Sequence, residues 1–103
     1  MIKIFLYGNL TKINFNDENY ETCDAYIIIK KYDIENNILE IDNKNNENNM
    51  LLHGKIANFN MKIDDLIKKI NNTEYNYHLS KGNINFIYAN KMSGGVYKTY
   101  ILY

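Results

Sequence analysis

The chain has 103 residues, 46% of them hydrophobic, with twelve lysines against twelve carboxylates and no arginine. That length holds one hydrophobic core, so residues 1–103 are expected to form a single domain that folds without a disulfide or metal. Cys23 is the only cysteine, which excludes an internal disulfide and a multi-cysteine metal site, and apolar runs such as Ile27–Ile29 are far too short to cross a bilayer.

In chain order, Met1–Tyr7 alternates Ile2, Ile4 and Leu6 with Lys3, Phe5 and Tyr7, the period of a β-strand. Gly8-Asn9 ends it, and Thr11–Asn19 is polar and irregular. A second strand is predicted over Ala25–Ile34, where Ile27-Ile28-Ile29 implies apolar contact on both faces. Glu35-Asn36-Asn37 suits a hairpin loop, because Asn tolerates left-handed backbone angles, and Ile38–Asp42 is the returning strand. Asn43–Asn49 is a loop. Met50–Phe59 is a further strand, interrupted by Gly54.

A helix is predicted over Met61–Asn71. Ile63, Leu66, Ile67 and Ile70 recur at helical spacing and form one apolar stripe. Asn60 is a suitable N-cap. Asp64 and Asp65 lie near the positive end of the helix dipole, and Lys68 and Lys69 near the negative end. Beyond Asn71-Asn72 a meander follows: Tyr75–Leu79, a turn at Ser80–Asn83, Ile84–Ala89, a loop through Ser93-Gly94-Gly95, and Val96–Leu102. The expected fold is therefore α+β, a mostly antiparallel five- to seven-stranded sheet or partial barrel carrying one amphipathic helix at about 61–71.

Asn, Ile, Lys and Tyr dominate the composition, and all four have AT-rich codons, so a low-GC genome accounts for the bias. The Asn residues are dispersed among patterned segments and form no low-complexity tract. Without arginine, bidentate clamping of phosphate or carboxylate is unavailable. Neutrality also hides an asymmetry. Nine carboxylates and three lysines lie between Asp17 and Glu47, whereas seven lysines and three acids follow Leu51. Such a chain can turn an acidic face, including Glu35, Glu40, Asp42 and Glu47, to a basic partner. The plainer reading of the same charges is a solvated surface.

Cys23, His53 and His78 are spaced too widely for a local metal site, and Asp24 disfavours a thiolate at Cys23, so neither metal nor cofactor is expected. Gly94-Gly95 opens no helix and suits a hairpin turn better than a phosphate loop. Tyr75, Tyr77, Tyr88, Tyr97, Tyr100 and Tyr103 could form a recognition surface, or simply pack on the sheet. Stacking on nucleic-acid bases would need a basic groove, and Lys81, Lys91 and Lys98 are the only nearby cations, which argues against direct nucleic-acid binding.

The opening Phe5-Leu6-Tyr7-Gly8-Asn9-Leu10 resembles the strand and YGxL turn that begin gamma-glutamylcyclotransferase-like domains. His53-Gly54-Lys55-Ile56, the amphipathic helix, a Tyr pair and Phe86-Ile87-Tyr88 follow in that family's order, and the likeness touches about half of the chain. It implies that the backbone of Tyr7, Gly8, Asn9 and Leu10 holds a gamma-glutamyl group. The family's catalytic Glu follows a helix leucine by four residues. An ungapped alignment puts Asn71 there, and a shift of three residues puts Glu74 there. In that family the glutamate shuttles the proton as the substrate's amine attacks its own carbonyl with release of 5-oxoproline, which an asparagine cannot do.

With no acid–base–nucleophile set and no cofactor motif, the residues point first to a small non-catalytic protein-binding module, cytoplasmic, without membrane association. A compact low-GC chain of this kind fits a phage or mobile-element inhibitor, acting in the host cell cytoplasm. Its partner would be a host defence effector or nuclease whose basic nucleic-acid surface meets the acidic face. The cyclotransferase-like enzyme is the alternative.

Overall fold

The apolar alternation at the start of the chain forms β1 (Ile2–Leu6), and it is followed directly by a short 3₁₀ helix over Gly8–Lys12. A computed structural model of the chain describes residues 2–13, 21–33, 38–40, 49–71 and 84–102. Within them lie β2 (Glu21–Ile29), β3 (Lys31–Asp33), β4 (Ile38–Glu40), β5 (Met50–Phe59), α1 (Ile63–Asn71), β6 (Ile84–Lys91) and β7 (Val96–Leu102). The expected strand at Tyr75–Leu79 and the turn at 80–83 lie outside the described residues.

The sheet is a closed barrel in the order β1-β5-β2-β6-β7, and β3 and β4 form a separate two-stranded sheet. The α+β class and, among the described residues, one amphipathic helix match the expectation, whereas the expected five- to seven-stranded, mostly antiparallel sheet or partial barrel is a closed five-stranded barrel with a separate two-stranded sheet. Four junctions of the barrel are antiparallel; the fifth, which shuts it, pairs β1 and β7 in parallel through Ile4 with Tyr100 and Phe5 with Ile101. Ten-residue β5 is the shared wall. Its C-terminal half pairs with β1, and nearly all of its length pairs with β2.

Strand registers sort the side chains into two sets. Phe5, Ala25, Ile27, Ile56, Ile87, Ala89 and Ile101 face the barrel interior and are buried. Ile4, Ala57 and Phe59 face outward, yet they are buried too. Leu66 and Ile70 of α1 join these residues in one hydrophobic cluster, with Ile63 half-buried against it, so the helix stripe covers that part of the outer wall. Leu6 and Leu102, also at outward positions, are buried as well, whereas the outer faces of β2, β6, the first half of β5 and the start of β7 carry exposed residues.

Several local expectations change. β2 begins at Glu21 rather than Ala25, and the predicted Ala25–Ile34 strand breaks at Lys30, whose N–H donates to Glu40 O at 3.0 Å as the chain passes into the second sheet. Ile28 is 43% exposed while Ile27 and Ile29 are buried, so the isoleucine run has one apolar face, not two. The hairpin of β3 and β4 forms in the anticipated register region, Lys31 opposite Glu40 and Asp33 opposite Ile38. The helix starts two residues later than predicted. Lys62 O accepts from the N–H groups of Asp65 and Leu66 at 3.1 Å, so Asn60 is not the cap.

Gly54 does not interrupt β5 but permits it. A Cβ there would run into Leu6 O and come within 2.8 Å of the tip of the Phe5 ring, so glycine lets β1 and its inward phenylalanine cross close to β5. Gly94 and Gly95 both have positive φ, 109° and 98°, and they make the β6–β7 hairpin turn, with Lys91 N–H donating to Gly95 O at 3.0 Å. Among the described residues no helix is long and apolar enough to cross a membrane.

Candidate functional site

At the end of β1 the chain turns sharply because Gly8 takes φ 55°, a left-handed value that disfavours other residues. Leu10 N–H donates to Tyr7 O at 3.0 Å, and the Thr11 hydroxyl donates to Gly8 O at 2.7 Å, so the turn is tied on both sides. Tyr7 is buried. Its hydroxyl donates to Leu102 O at 2.6 Å, which fastens the turn to the end of β7, and its ring stacks along Phe5 at 6.2 Å. Leu10 is fully buried. Tyr7, Gly8, Asn9 and Leu10 therefore form one rigid turn.

A second tyrosine sits on that turn. Tyr32 of β3 meets the Tyr7 ring edge-on at 5.2 Å, and its hydroxyl occupies the space where a Gly8 side chain would stand. That oxygen is closed off from solvent and has no hydrogen-bond partner. Burial, with the neighbouring Asp33 carboxylate, pushes the Tyr32 pKa up. The β3–β4 sheet thus packs on the β1 turn through one aromatic residue that sequence reasoning did not single out. Nothing in the sequence joins Tyr32 to Gly8 except the pairing of a hydroxyl-tipped ring with a missing side chain. Glu74, the candidate proton shuttle, lies outside the described residues.

Of the acidic candidates, Glu40 is exposed on β4, opposite Lys31. Glu35, Asp42 and Glu47 lie outside the described residues. Cys23 and His53 sit on neighbouring strands β2 and β5, but their register positions face opposite sides of the barrel wall, so they share no site. His78 lies outside the described residues. Among the described residues no three His, Cys, Asp or Glu side chains cluster as metal ligands do.

The open outer wall carries a different set. Phe86 and Tyr88 of β6 are 56% and 66% exposed, and Val96 of β7 is 61% exposed. Phe86 pairs across the hairpin with Tyr100, ring centres 4.3 Å apart, and the Lys98 ammonium lies 4.7 Å above the Phe86 ring. On the same outward face, Ile28 of β2 stands opposite Leu51 of β5, both exposed, and Tyr26 stands beside His53 at 6.1 Å. Tyr88 and Tyr100 were recognisable as surface candidates. Tyr97 differs, since its register partner Ala89 faces the interior. The missed members, Phe86, Ile28 and Leu51, belong to apolar runs whose solvent face becomes identifiable only once the barrel closes. Comparison with protein-family models, curated proteins and solved structures finds no match for the chain.

Proposed function

We propose that the protein is a non-catalytic binding module whose protein partner docks on the open outer wall of β6 and β7, continued by β2 and β5. The supporting observation is the exposure of Phe86 and Tyr88 on a rigid hairpin beside Tyr100, Val96 and Lys98. Aromatic residues held by strands offer large contact area at small entropic cost and dominate binding energy where they cluster. No carboxylate occurs from Ile84 to Tyr103, and Lys98 lies among the rings, so the complementary surface is apolar with an acidic rim.

The role assigned within this reading is inhibition of a host defence effector or nuclease, with its basic nucleic-acid surface meeting the acidic segment that includes Glu40. The test is quantitative affinity capture from host lysate with three baits: wild type, Phe86→Thr with Tyr88→Thr, and Glu40→Lys. A stoichiometric partner held by wild type and lost by the aromatic double variant, at unchanged melting temperature, is the expected result. Glu40→Lys should weaken the complex and reduce its salt sensitivity. Absence of a stoichiometric partner, or equal capture by the aromatic double variant, overturns the reading.

A second reading draws support from the β1 turn. Gly8 has the positive φ of a sharp backbone turn, and in this reading the Tyr7-Gly8-Asn9-Leu10 backbone holds a gamma-glutamyl group once Tyr32 moves off Gly8, with Leu10 N–H already given to Tyr7 O. In that reading Glu74 shuttles the proton. Release of 5-oxoproline from a gamma-glutamyl substrate, abolished by Glu74→Gln, would establish it in place of the first.

A further inference from the structure

The mouth of the barrel opposite the Gly8 turn holds two lysines that point to a ligand. β1 and β7 begin at this end and β6 finishes there, which brings the inward positions Lys3, Lys91 and Tyr97 together. The Lys3 ammonium lies 4.4 Å from the centre of the Tyr97 ring, and the Lys91 ammonium lies 4.7 Å from the same centre. Sharing one ring keeps the two charges at most about 9 Å apart, close to the screening length of physiological salt, so they still repel. Both lysines are half-buried, as is Tyr97.

A half-buried lysine ordinarily packs its stem along apolar surface and keeps its ammonium in water. Here neither ammonium group makes an ion pair among the described residues, and their shared contact is the tyrosine ring. Asn58, the register partner of Lys3, faces the same way and is half-buried. Asn58 thus brings an amide to the same face of the barrel wall as Lys3. Glu21, the exposed first residue of β2, and Asp24, whose backbone carbonyl accepts from Met92 N–H, lie at this end of β2, and neither is paired with Lys3 or Lys91. Barrel mouths are a recurrent location for small-molecule sites.

We propose that this mouth is a binding site for a small oxyanion, carried on phosphate or carboxylate, held between Lys3 and Lys91 and flanked by Asn58 and Tyr97. The anion offsets two positive charges that have no carboxylate partner among the described residues, and charge-assisted hydrogen bonds from the two ammonium groups hold it. The site is at the opposite end of the barrel from the β1 turn, and it is independent of the outer wall proposed for docking.

The test is an NMR titration of the ¹⁵N-labelled full chain with inorganic phosphate, and separately with succinate, at constant ionic strength set by sodium chloride. Saturable shifts centred on the amides of Lys3, Asn58, Lys91 and Tyr97 are expected. They should weaken at least tenfold in Lys3→Met with Lys91→Met, which keeps the stems and removes the charges. Saturation by phosphate alone identifies a phosphate-bearing ligand, and saturation by both identifies a site for carboxylates as well; either supports the proposal. Linear, non-saturating shifts, or shifts centred on Lys62, Lys68 and Lys69, overturn it. Should the double variant fail to fold, the wild-type shift map decides the question alone.

Discussion

Tyr32 shows how one atom sets an energetic balance. Its hydroxyl is removed from water without a partner, and such a group costs about 1–3 kcal/mol. Tyr32→Phe keeps the edge-on contact with Tyr7 and deletes that oxygen, so stability in urea at neutral pH should be unchanged or higher by about 1 kcal/mol. The raised pKa adds a pH signature. The folded state keeps the phenolic proton to higher pH than the unfolded chain, so this contribution is whole below the ordinary value of 10.0 and is lost as pH climbs through the elevated folded value. Wild type should therefore lose stability faster than Tyr32→Phe as pH is raised past that point. Gly54 makes the opposite case. Gly54→Ala places a methyl against Leu6 O and the Phe5 ring, neither of which can retreat without parting β1 from β5, so a loss of about 3 kcal/mol in thermal unfolding is expected.

At the scale of elements, α1 is held by its stripe rather than by its length, since nine residues are too few for a stable isolated helix. Ile70→Ala should cost about 2–5 kcal/mol, because the cavity opens between the helix and the barrel wall. Ile28→Ala, on the open outer face, should stay within about 0.5–1 kcal/mol, and chemical denaturation of the two variants separates the faces. This contrast also marks what could be read beforehand. The helix stripe, β5 and β7 follow from local period, and the structure keeps those elements within two residues of their predicted bounds. The break at Lys30 does not follow, because it comes from the departure of β3 to a second sheet, a tertiary event with no glycine or proline to announce it. Asn60 failed as a cap for a related reason: the strand-to-helix connection uses two more residues than propensity alone suggests. Of the candidate sites, the Tyr7–Leu10 turn was legible because glycine has a local conformational job there. The aromatic wall and the lysine mouth depend on registers between strands tens of residues apart.

For the whole molecule, closure is the decisive feature. The β1–β7 contact joins Ile4 to Tyr100 and Phe5 to Ile101, so the first strand waits for the last. During synthesis the barrel cannot shut until β7 has left the ribosome, and until then β1 and β6 expose unpaired edges that invite association. The chain contains no proline, so refolding from denaturant should show no phase lasting tens of seconds from proline isomerisation. Stopped-flow fluorescence of the tyrosines should instead report one phase in the range of about milliseconds to seconds, the time needed to bring distant strands together. For a cell making this protein, the vulnerable interval is thus translation itself: a nascent chain stalled before Val96 is an open sheet, and its survival depends on how quickly the final segment is supplied.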